Sequence, residues 1–369
     1  MMPLMAKGKK NKDKKSRKEI EIIAKDLAVR KMLRGSKKSK SAKDGIAQAK
    51  VSELVAAVAD GKASKSVVKG APAPGVFEVA LRAGDGFVLA DVDPASTPGF
   101  IGDKAAGEAL MAPLAEQVAD LQERLYAEAK EGGKRAVLLI IQGMDTSGKG
   151  GIMRHVVGAA DPQGIRITAF KAPTAQEKAR PFLWRIRNAL PTPGVIGVFD
   201  RSQYEDVLIG KVHELAPRAT IGRRYAQINS FEKSVAASGT KIVKVMLHIS
   251  DEEQQARLAE RLANPEKYWK FNPGDLNERA LWGEYMDAYQ VAIDKCSTEV
   301  APWYVVPADK KWYARLAVMN LLLAALLDLD PQWPAADFDV AEMQAKLEAM
   351  GDVTPDDPTD ESSEDADES

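Results

Sequence analysis

The stretch RAVLLIIQGMDTSGKGG, residues 135–151, constrains the fold more than any other part of the chain. A continuous apolar run of strand length leads into a glycine-rich loop that contains Lys149. The apolar run predicts a strand buried inside a parallel sheet, and the residues from Lys149 onward predict a helix. In a strand–loop–helix unit of this kind, backbone N–H groups and the helix N-terminus converge on a phosphate group. We therefore predict a phosphate-binding loop.

The glycines and the lysine of this loop have the G-x4-G-K spacing of the Walker A motif, formed by Gly143, Gly148 and Lys149. Lys149 is placed to reach the phosphoryl group that is transferred. The candidate phosphate-binding positions around it are Gly143, Thr146, Ser147, Gly148, Gly150 and Gly151. The alternative is a glycine-rich turn with a surface lysine, but the spacing, the strand and the helix all favour the phosphate-binding loop.

The residue after the lysine separates this loop from most loops that bind nucleoside triphosphates. Those loops usually place a Ser or Thr ligand for Mg²⁺ there, whereas this chain has Gly150. Asp145 lies in the middle of the loop, where its carboxylate would repel phosphate unless a metal ion or a proton lay between them. We infer that Asp145 either binds Mg²⁺ or orients an attacking phosphate oxygen.

Apolar segments of strand length alternate with helical segments through the middle of the chain. This pattern predicts an α/β fold with a parallel sheet that is covered by helices on both faces. The predicted strands are residues 135–143, 164–170, 194–199, 240–250 and 301–308. Helices are predicted at about 103–130, at 175–189 and at 311–327, the last of which should pack on the sheet. The main domain is therefore expected at residues 101–330.

An acid and a base end the third predicted strand, in the segment FDRSQYEDVL. Because ligands of open parallel sheets bind at the carboxyl ends of strands, Asp200 should lie near the loop as a second metal ligand. Arg201 could neutralise phosphate charge in the transition state. Glu205 lies one turn further along if a helix begins here. The alternative is a helix cap followed by a solvated arginine.

Basic residues after the second and fourth strands fit a long anionic substrate. Lys171 follows the second strand, and the segment 250–271 reads as a helical lid. The basic residues of the lid segment are Arg257, Arg261, Lys267 and Lys270. Arg257 and Arg261 are four residues apart and share one helical face. The same charge pattern also fits an ordinary solvated helix in which Glu253 and Glu260 pair with these cations.

The net charge of −1 hides two ends of opposite charge. Residues 1–50 contain seventeen Lys or Arg and five Asp or Glu, whereas residues 351–369 contain nine acids and no base. We predict a basic disordered arm at 1–45 and an acidic tail at 331–369. Residues 46–100 form an N-terminal segment between the arm and the main domain. In that segment Gly84-Asp85-Gly86 lies between two apolar runs and predicts a hairpin.

The composition excludes some classes of protein. The single cysteine, Cys296, cannot form an internal disulfide or a cysteine-rich metal site and is compatible with a reducing cytoplasm. No uncharged apolar run reaches the roughly 18 residues of a membrane span. The positive N-terminus is not followed by the apolar stretch of a secretory signal. We expect a cytoplasmic protein with no membrane partner.

Taken together, these motifs resemble the polyphosphate kinase 2 family. The resemblance rests on GMDTSGKGG (143–151), FKAPT (170–174), FDRSQYEDVL (199–208), HISDEEQQARL (248–258), NPEKYWKF (264–271) and STEVAPWYVVPADKKWYARL (297–316). It covers about residues 90–330 in one unbroken order. The combination of FKAPT with YEDVL is most similar to the subclass that acts on nucleoside mono- and diphosphates. The chain departs from shorter members in its basic arm, its segment 46–90 and its acidic tail.

The resemblance implies a P-loop kinase fold like that of thymidylate kinase. It implies reversible, Mg²⁺-dependent transfer of phosphate between inorganic polyphosphate and AMP, ADP, ATP or the guanine equivalents, by a homo-oligomer that is a dimer or a tetramer. The residues that match the family's catalytic signature are Asp145, Lys149, Asp200, Arg201 and Glu205, with Asp145 and Asp200 sharing the metal. The residues that match its mobile lid are Arg257, Arg261, Lys267 and Lys270.

Two other functions remain open. The chain could be an ATP-dependent kinase of a nucleoside phosphate or another small molecule on the same fold, although Gly150 in place of Ser or Thr argues against it. It could also be a non-enzymatic polyanion-binding protein whose basic arm alone binds. In that case the change Lys149→Ala would alter nothing measurable.

Overall fold

The computed structural model describes residues 71–73 and 75–350. In chain order, its α-helices and strands are α1 (Val76–Leu81), α2 (Lys104–Ala109), α3 (Met111–Lys130), β1 (Ala136–Gly143), α4 (Lys149–His155), β2 (Ile165–Ala169), α5 (Ala175–Lys178), α6 (Trp184–Asn188), β3 (Ile196–Asp200), α7 (Ile209–Val212), α8 (Arg218–Ala237), β4 (Thr240–His248), α9 (Asp251–Ala263), α10 (Gly274–Ala280), α11 (Trp282–Cys296), β5 (Trp303–Pro307), α12 (Lys311–Leu329) and α13 (Val340–Ala349). Short 3-10 helices at Gln203–Asp206 and Pro265–Lys270 lie near the candidate site.

The five strands form one parallel sheet in the order β2-β3-β1-β4-β5, as the alternating pattern predicts. Each predicted strand is present, and only the ends differ by one to a few residues. The central strand β1 lies between β3 and β4, with Ile141 beside Asp200 and Gly143 beside Leu247. This register brings the end of β3 next to the beginning of the glycine-rich loop.

Helices cover both faces of the sheet, because alternate residues of the central strand are apolar on both sides. Val137, Leu139 and Ile141 are fully buried in the cluster that includes α3, α4 and α12. Leu138 and Ile140 point to the opposite face, where α6 and α8 pack. Full burial of such a side chain contributes roughly 1.5–3 kcal/mol. The sheet is therefore a rigid base for the loops at its carboxyl edge.

Helix α12 is the most apolar helix of the described residues. By length and composition it alone among them could cross a membrane, yet 72% of its most apolar window is buried inside the fold. It contacts α3, α2 and strand β4. The expectation that this segment packs on the sheet is confirmed, and α12 is a core helix.

Two of the predicted helices are interrupted, and a proline lies at each interruption. The helix expected at 103–130 is divided into α2 and α3 near Pro113, whose missing N–H cannot bond to the preceding turn. The helix expected at 175–189 is divided into α5 and α6 by Pro181. Proline restricts the residue before it to extended conformations, so α5 ends early.

The hairpin predicted around Gly84-Asp85-Gly86 is wrong. The first apolar run forms helix α1, and Leu89–Asp91 forms a short 3-10 helix instead of a returning strand. Arg82 forms an antiparallel bridge with Tyr304, and Ala83 N–H donates to the carbonyl of Trp303 at 2.8 Å. The segment thus bonds to the edge strand β5, which offers free backbone groups, and not to itself.

The described residues divide into two compact units, of which the first ends at Gln332 and the second begins at Trp333. The second unit contains α13, whose side chains are exposed. The predicted basic arm at 1–45 and the last nineteen residues of the acidic tail lie outside the described residues. The domain limits inferred from the sequence therefore stay predictions.

Candidate active site

The loop between β1 and α4 is built around two glycines, Gly143 and Gly148, at which a side chain would clash or strain the backbone. A Cβ atom on Gly143 would lie 2.6 Å from the hydroxyl oxygen of Ser147 and 2.8 Å from the carbonyl oxygen of Leu247. Gly148 has φ 111°, a conformation that L side chains rarely adopt, and it immediately precedes α4. The Walker A spacing of these glycines therefore has a steric cause in this chain.

The inside of the loop contains buried polar atoms that lack partners. Thr146 adopts φ 63°, which is strained for a β-branched residue. Within the described residues, its hydroxyl and that of Ser147 are buried and make no hydrogen bond. A buried polar group without a partner costs about 1–3 kcal/mol, so the loop has the properties of a site that a polar ligand completes.

Lys149 is at the centre of the candidate site. Its ammonium group donates to the carbonyl oxygens of Gly143 at 2.8 Å and Met144 at 3.2 Å. Burial lowers the pKa of Lys149, and the nearby carboxylates of Asp145 and Asp200 oppose that shift. The lysine is thus held inside the loop by weak neutral acceptors, which phosphate oxygens can replace.

Asp200 and Arg201 follow β3 and approach the loop from the side. Arg201 Nη2 donates to Asp145 Oδ1 at 3.1 Å, which links the two predicted motifs. The backbone of Arg201 has φ 64°, and its N–H donates to the carbonyl of Ile141 in β1 at 3.0 Å. Asp200 Oδ1 is buried without a hydrogen-bond partner in the described chain. The predicted approach of these residues to the loop is present in the structure.

Glu205 lies on the 3-10 helix Gln203–Asp206 that follows. Burial raises the pKa of Glu205, while Arg201, the amide of Gln142 and Lys149 act in the opposite direction. Gln142 Nε2 donates to Glu205 Oε1 at 3.1 Å. Gln142 is fully buried in β1, and nothing in the sequence pattern identified it as part of the site.

A cleft of about 230 Å³ opens beside these groups. Its lining residues are Gly143, Met144, Asp145, Arg201, Glu205, Leu208, Ile209, Asn272, Gly274, Asp275, Glu278, Tyr285 and Tyr289. Four of the lining side chains are acidic and one is basic: Asp145, Glu205, Asp275 and Glu278, and Arg201. Burial and then the charge of Asp145 raise the pKa of Asp275. The sequence pattern does not indicate Asp275 or Glu278 as site residues, because they follow the lid motif by several residues.

Arg257, predicted to bind phosphate from the lid, is 5% exposed and bonded within the protein. Its Nη1 donates to the carbonyl of Thr146 at 2.9 Å. Its Nη2 donates to the carbonyls of Ala308 and Asp309 at 2.7 and 2.8 Å. Its Nε donates to Glu253 at 2.8 Å. Four of its five N–H groups are used, so in this structure Arg257 supports the loop backbone.

The other lid cations also have partners and do not line the cleft. Arg261 Nη1 donates to the carbonyl of Lys270 at 2.9 Å, and Lys267 forms an ion pair with Glu260. Lys270 lies 4.9 Å above the ring of Trp269. The structure thus contains the ion pairs expected of an ordinary helix, Arg257 with Glu253 and Lys267 with Glu260. A contact of these cations with phosphate stays a prediction.

Lys171 follows β2 and is exposed, and its carbonyl accepts a hydrogen bond from Arg185 at 2.7 Å. Because Ala169 pairs with Asp200, this segment begins at the same edge of the sheet as the catalytic candidates. The structure does not include it in the cleft lining. Its predicted contact with phosphate therefore stays a prediction.

A basic group that the sequence analysis missed lies on the α4 side of the loop. The guanidinium of Arg315 in α12 comes within 3.6 Å of the position that a Cβ on Gly151 would take. Burial lowers the pKa of Arg315, Glu108 acts against that shift, and Arg154 adds to it. Burial lowers the pKa of His155, and the positive charges of Arg315 and then Arg154 lower it further. Arg154 and Arg315 thus form a cationic pair next to the loop, beside His155, whose lowered pKa favours its neutral form.

Comparisons with known proteins add to this geometry. The sequence profile of the family described as Polyphosphate kinase 2 (PPK2) matches residues 102–333. An AMP/ADP-polyphosphate phosphotransferase of Meiothermus ruber is 46% identical over 248 residues, which are 67% of this chain and 91% of the relative. An ADP-polyphosphate phosphotransferase of Rhodopseudomonas palustris is 41% identical over 253 residues, 65% of this chain and 86% of the relative.

A solved structure is also similar. The crystal structure of Polyphosphate Kinase 2 from Arthrobacter aurescens TC1 superposes with a TM-score of 0.72 at 59% sequence identity. The match covers 73% of this chain and 95% of that chain.

Proposed function

The chain belongs to the polyphosphate kinase 2 family. From that premise we propose that its loop and cleft transfer a phosphoryl group between inorganic polyphosphate and ADP or AMP. The relatives are phosphotransferases that use polyphosphate with AMP or ADP, according to their names. The observation that carries the proposal is a partly buried lysine inside a phosphate-binding loop that borders an acid-rich cleft. Such a site accepts a phosphate chain on one side and a nucleoside on the other.

The reaction is a direct in-line displacement. A terminal phosphate oxygen of ADP attacks the end phosphorus of polyphosphate and forms the new P–O bond of ATP. The bond from that phosphorus to the bridging oxygen breaks, and the shortened polyphosphate leaves with the bridging oxygen. The attacking oxygen is already ionised near neutral pH, so no strong general base is required. Lys149 and Arg201 stabilise the charge that spreads over the transferred group, and positioning provides most of the remaining rate enhancement. Asp145 and Glu205 orient Arg201 and the acceptor phosphate.

Mg²⁺ is the proposed cofactor, and the residues present fit it. Asp200 Oδ1 is buried and unpartnered within the described residues, and Asp145 approaches the same loop. Mg²⁺ is usually bound through one or two carboxylates plus substrate phosphates, so two aspartates suffice. Among the described residues, no three His, Cys, Asp or Glu side chains are arranged so that they could hold a metal ion by themselves, so the remaining ligands of Mg²⁺ would come from substrate and water. When bound, Mg²⁺ would neutralise charge on the phosphate oxygens.

The two sides of the loop suit the two substrates differently. The cleft contains four acids, the apolar side chains of Met144, Leu208 and Ile209, and one arginine. Asp275 pairs with Arg261, and Glu278 accepts from His213 and Tyr285. Even so, four carboxylates beside one lining arginine suit a polyphosphate chain less well than ribose hydroxyls and a base, which can bond to the remaining acceptor positions of Asp275 and Glu278. The opposite side carries the cations Arg154 and Arg315. We assign the nucleoside to the cleft and the polyphosphate chain to this cationic side.

Two matched variants distinguish the two sides. Asp275→Asn is expected to raise KM for the nucleotide about 10-fold, because one charged hydrogen-bond acceptor is worth about 1.5–3 kcal/mol. Arg315→Gln is expected to raise KM for polyphosphate by a similar factor, because it removes a positive charge beside the loop. Initial rates measured against each substrate separately give both constants. If Arg315→Gln raises KM for the nucleotide instead, the assignment of the sides is reversed. Glu116→Gln, a change of an exposed acid on α3 outside the cleft, is the control and should leave both KM values unchanged.

The function itself is tested with the purified full chain, Mg²⁺ and long-chain polyphosphate, with ADP or AMP in separate reactions. Chromatography of the nucleotide products is expected to show ATP from ADP and ADP from AMP. Turnover that requires ATP as the donor and ignores polyphosphate would contradict the assignment and favour an ATP-dependent kinase. Binding of polyphosphate without any nucleotide product would favour a polyanion-binding protein.

We further propose a homo-oligomer, a dimer or a tetramer, and a cytoplasmic location. Support for the location is the nucleotide substrate and the single cysteine, Cys296, which is buried and free. Size-exclusion chromatography with light scattering measures the oligomeric state directly.

A further inference from the structure

A buried ion pair lies on the face of the sheet opposite α12. Lys244 of β4 and Glu232 of α8 are almost fully buried, and Lys244 Nζ donates to Glu232 Oε2 at 2.6 Å. The ammonium also donates to Tyr204 at 2.8 Å and to the carbonyl of Cys296 at 2.7 Å, so all three of its N–H groups are used. Replacing such a pair by apolar residues is often neutral or stabilising, so stability alone does not explain it.

The pair holds the segment that follows Arg201. Gln203 Nε2 and the hydroxyl of Tyr204 both donate to Glu232 Oε1, at 3.0 and 2.9 Å. Both residues are fully buried, and the Tyr204 ring packs on Trp303 with centroids 4.6 Å apart. The side chains of the segment 200–206 therefore point in two directions. Asp200, Arg201 and Glu205 face the loop and the cleft, while Gln203 and Tyr204 bond to the buried pair.

Arg201 is the residue that needs this support. Its φ of 64° is an unfavourable conformation for a residue with a side chain, at a cost of about 1–3 kcal/mol. On the upstream side the N–H of Arg201 is bonded to β1. On the downstream side Ser202 is buried, and the next two residues are bonded to Glu232. Without the downstream bonds, the backbone could relax to negative φ and move the guanidinium away from Asp145.

We propose that the Glu232–Lys244 pair, acting through Gln203 and Tyr204, is a positioning device that keeps Arg201 in its strained conformation for transfer. We call these four residues the buried clamp. The inference rests on the proposed function, because it concerns the arginine assigned to the transition state. None of the four touches the cleft, and their effect on the reaction passes through the backbone of the segment 201–204.

The test releases the segment and keeps the ion pair. The double change Gln203→Leu with Tyr204→Phe removes both side-chain hydrogen bonds to Glu232 and one of the three acceptors of Lys244, and it keeps the Glu232–Lys244 contact itself. We expect kcat to fall roughly 10–100-fold with KM for both substrates unchanged, since a displacement of about 1 Å can cost that much. The single change Tyr204→Phe should give a smaller fall and guards against misfolding of the double variant. Tyr225→Phe is the matched control, because the buried Tyr225 hydroxyl has no partner in the described chain.

A cycle with Arg201→Ala separates positioning from a general loss of structure. In the Arg201→Ala background, the double change should alter kcat less than about 3-fold, because residues that act as a unit are not additive. Thermal unfolding is measured for every variant. An unchanged kcat in a folded double variant, or an equal fall in both backgrounds, would overturn the clamp. The activity of the unmodified protein with polyphosphate is measured in the same series, so failure of the proposed function is recognised separately.

Discussion

Lys149→Met is expected to reduce kcat by roughly 10³-fold or more, the largest single loss in this protein. Lys149 is the only base inside the loop, where it is partly buried and interacts with the carboxylates of Asp145, Asp200 and Glu205. Its present acceptors are two backbone carbonyls, which phosphate oxygens can replace. Methionine keeps the aliphatic stem and removes only the ammonium group, so the effect reports charge stabilisation and not packing.

The measurement is the initial rate of ATP formation from ADP and polyphosphate, with folding checked by thermal unfolding. Lys233→Met, an exposed lysine on α8, is the control for the same chemical change away from the site. A fall of less than about 10-fold in a folded Lys149→Met variant would contradict the role assigned here, because one lost electrostatic donor usually costs about 10²–10³. It would leave Arg201 as the main stabiliser of the transferred group.

Asp200→Asn is expected to reduce kcat by roughly 10²–10³-fold, through loss of a proposed Mg²⁺ ligand. The carboxylate is at the end of β3, and its Oδ1 is buried without a partner in the described residues. An amide of the same shape keeps the packing but provides a weaker, neutral oxygen. The residual activity should therefore need a higher Mg²⁺ concentration for half-saturation than the unmodified protein.

A Mg²⁺ titration of the initial rate at fixed substrate concentrations checks this result. Asp287→Asn changes an exposed aspartate of α11 in the same way and should leave the titration unchanged. If Asp200→Asn lowers the rate without moving the Mg²⁺ midpoint, Asp200 acts on the substrate or on Arg201 and is not a metal ligand. Calorimetric Mg²⁺ binding with tripolyphosphate present provides a readout independent of turnover.

The parts of the site that the sequence predicted are those set by local rules. The glycine spacing follows from steric limits within six residues, as the close approach of Gly143 to Ser147 shows. The pairing of Asp200 with the loop follows from one topological rule, that ligands bind at the carboxyl edge of a parallel sheet. Neither inference requires knowledge of which distant residues meet.

The errors and omissions concern contacts between distant residues. Arg257 has the charge and spacing of a phosphate ligand, yet it bonds to carbonyls of Thr146 and Ala308, more than fifty residues away in both directions. The hairpin failed because β5 offers the segment around Arg82 a better partner than its own neighbour. Charge patterns along one helix do not reveal such partners.

By itself, the sequence determined that this chain forms a parallel α/β sheet with a phosphate-binding loop, because strand-length apolar runs and glycine spacing act over short distances. Only the tertiary structure decided that the cleft is acidic, that Arg315 lies beside the loop, and that Glu232 and Lys244 bond to the segment after Arg201. These features depend on the order of the strands and on which helices cover each face. That order brings together side chains that are far apart in the chain, and no local pattern records it.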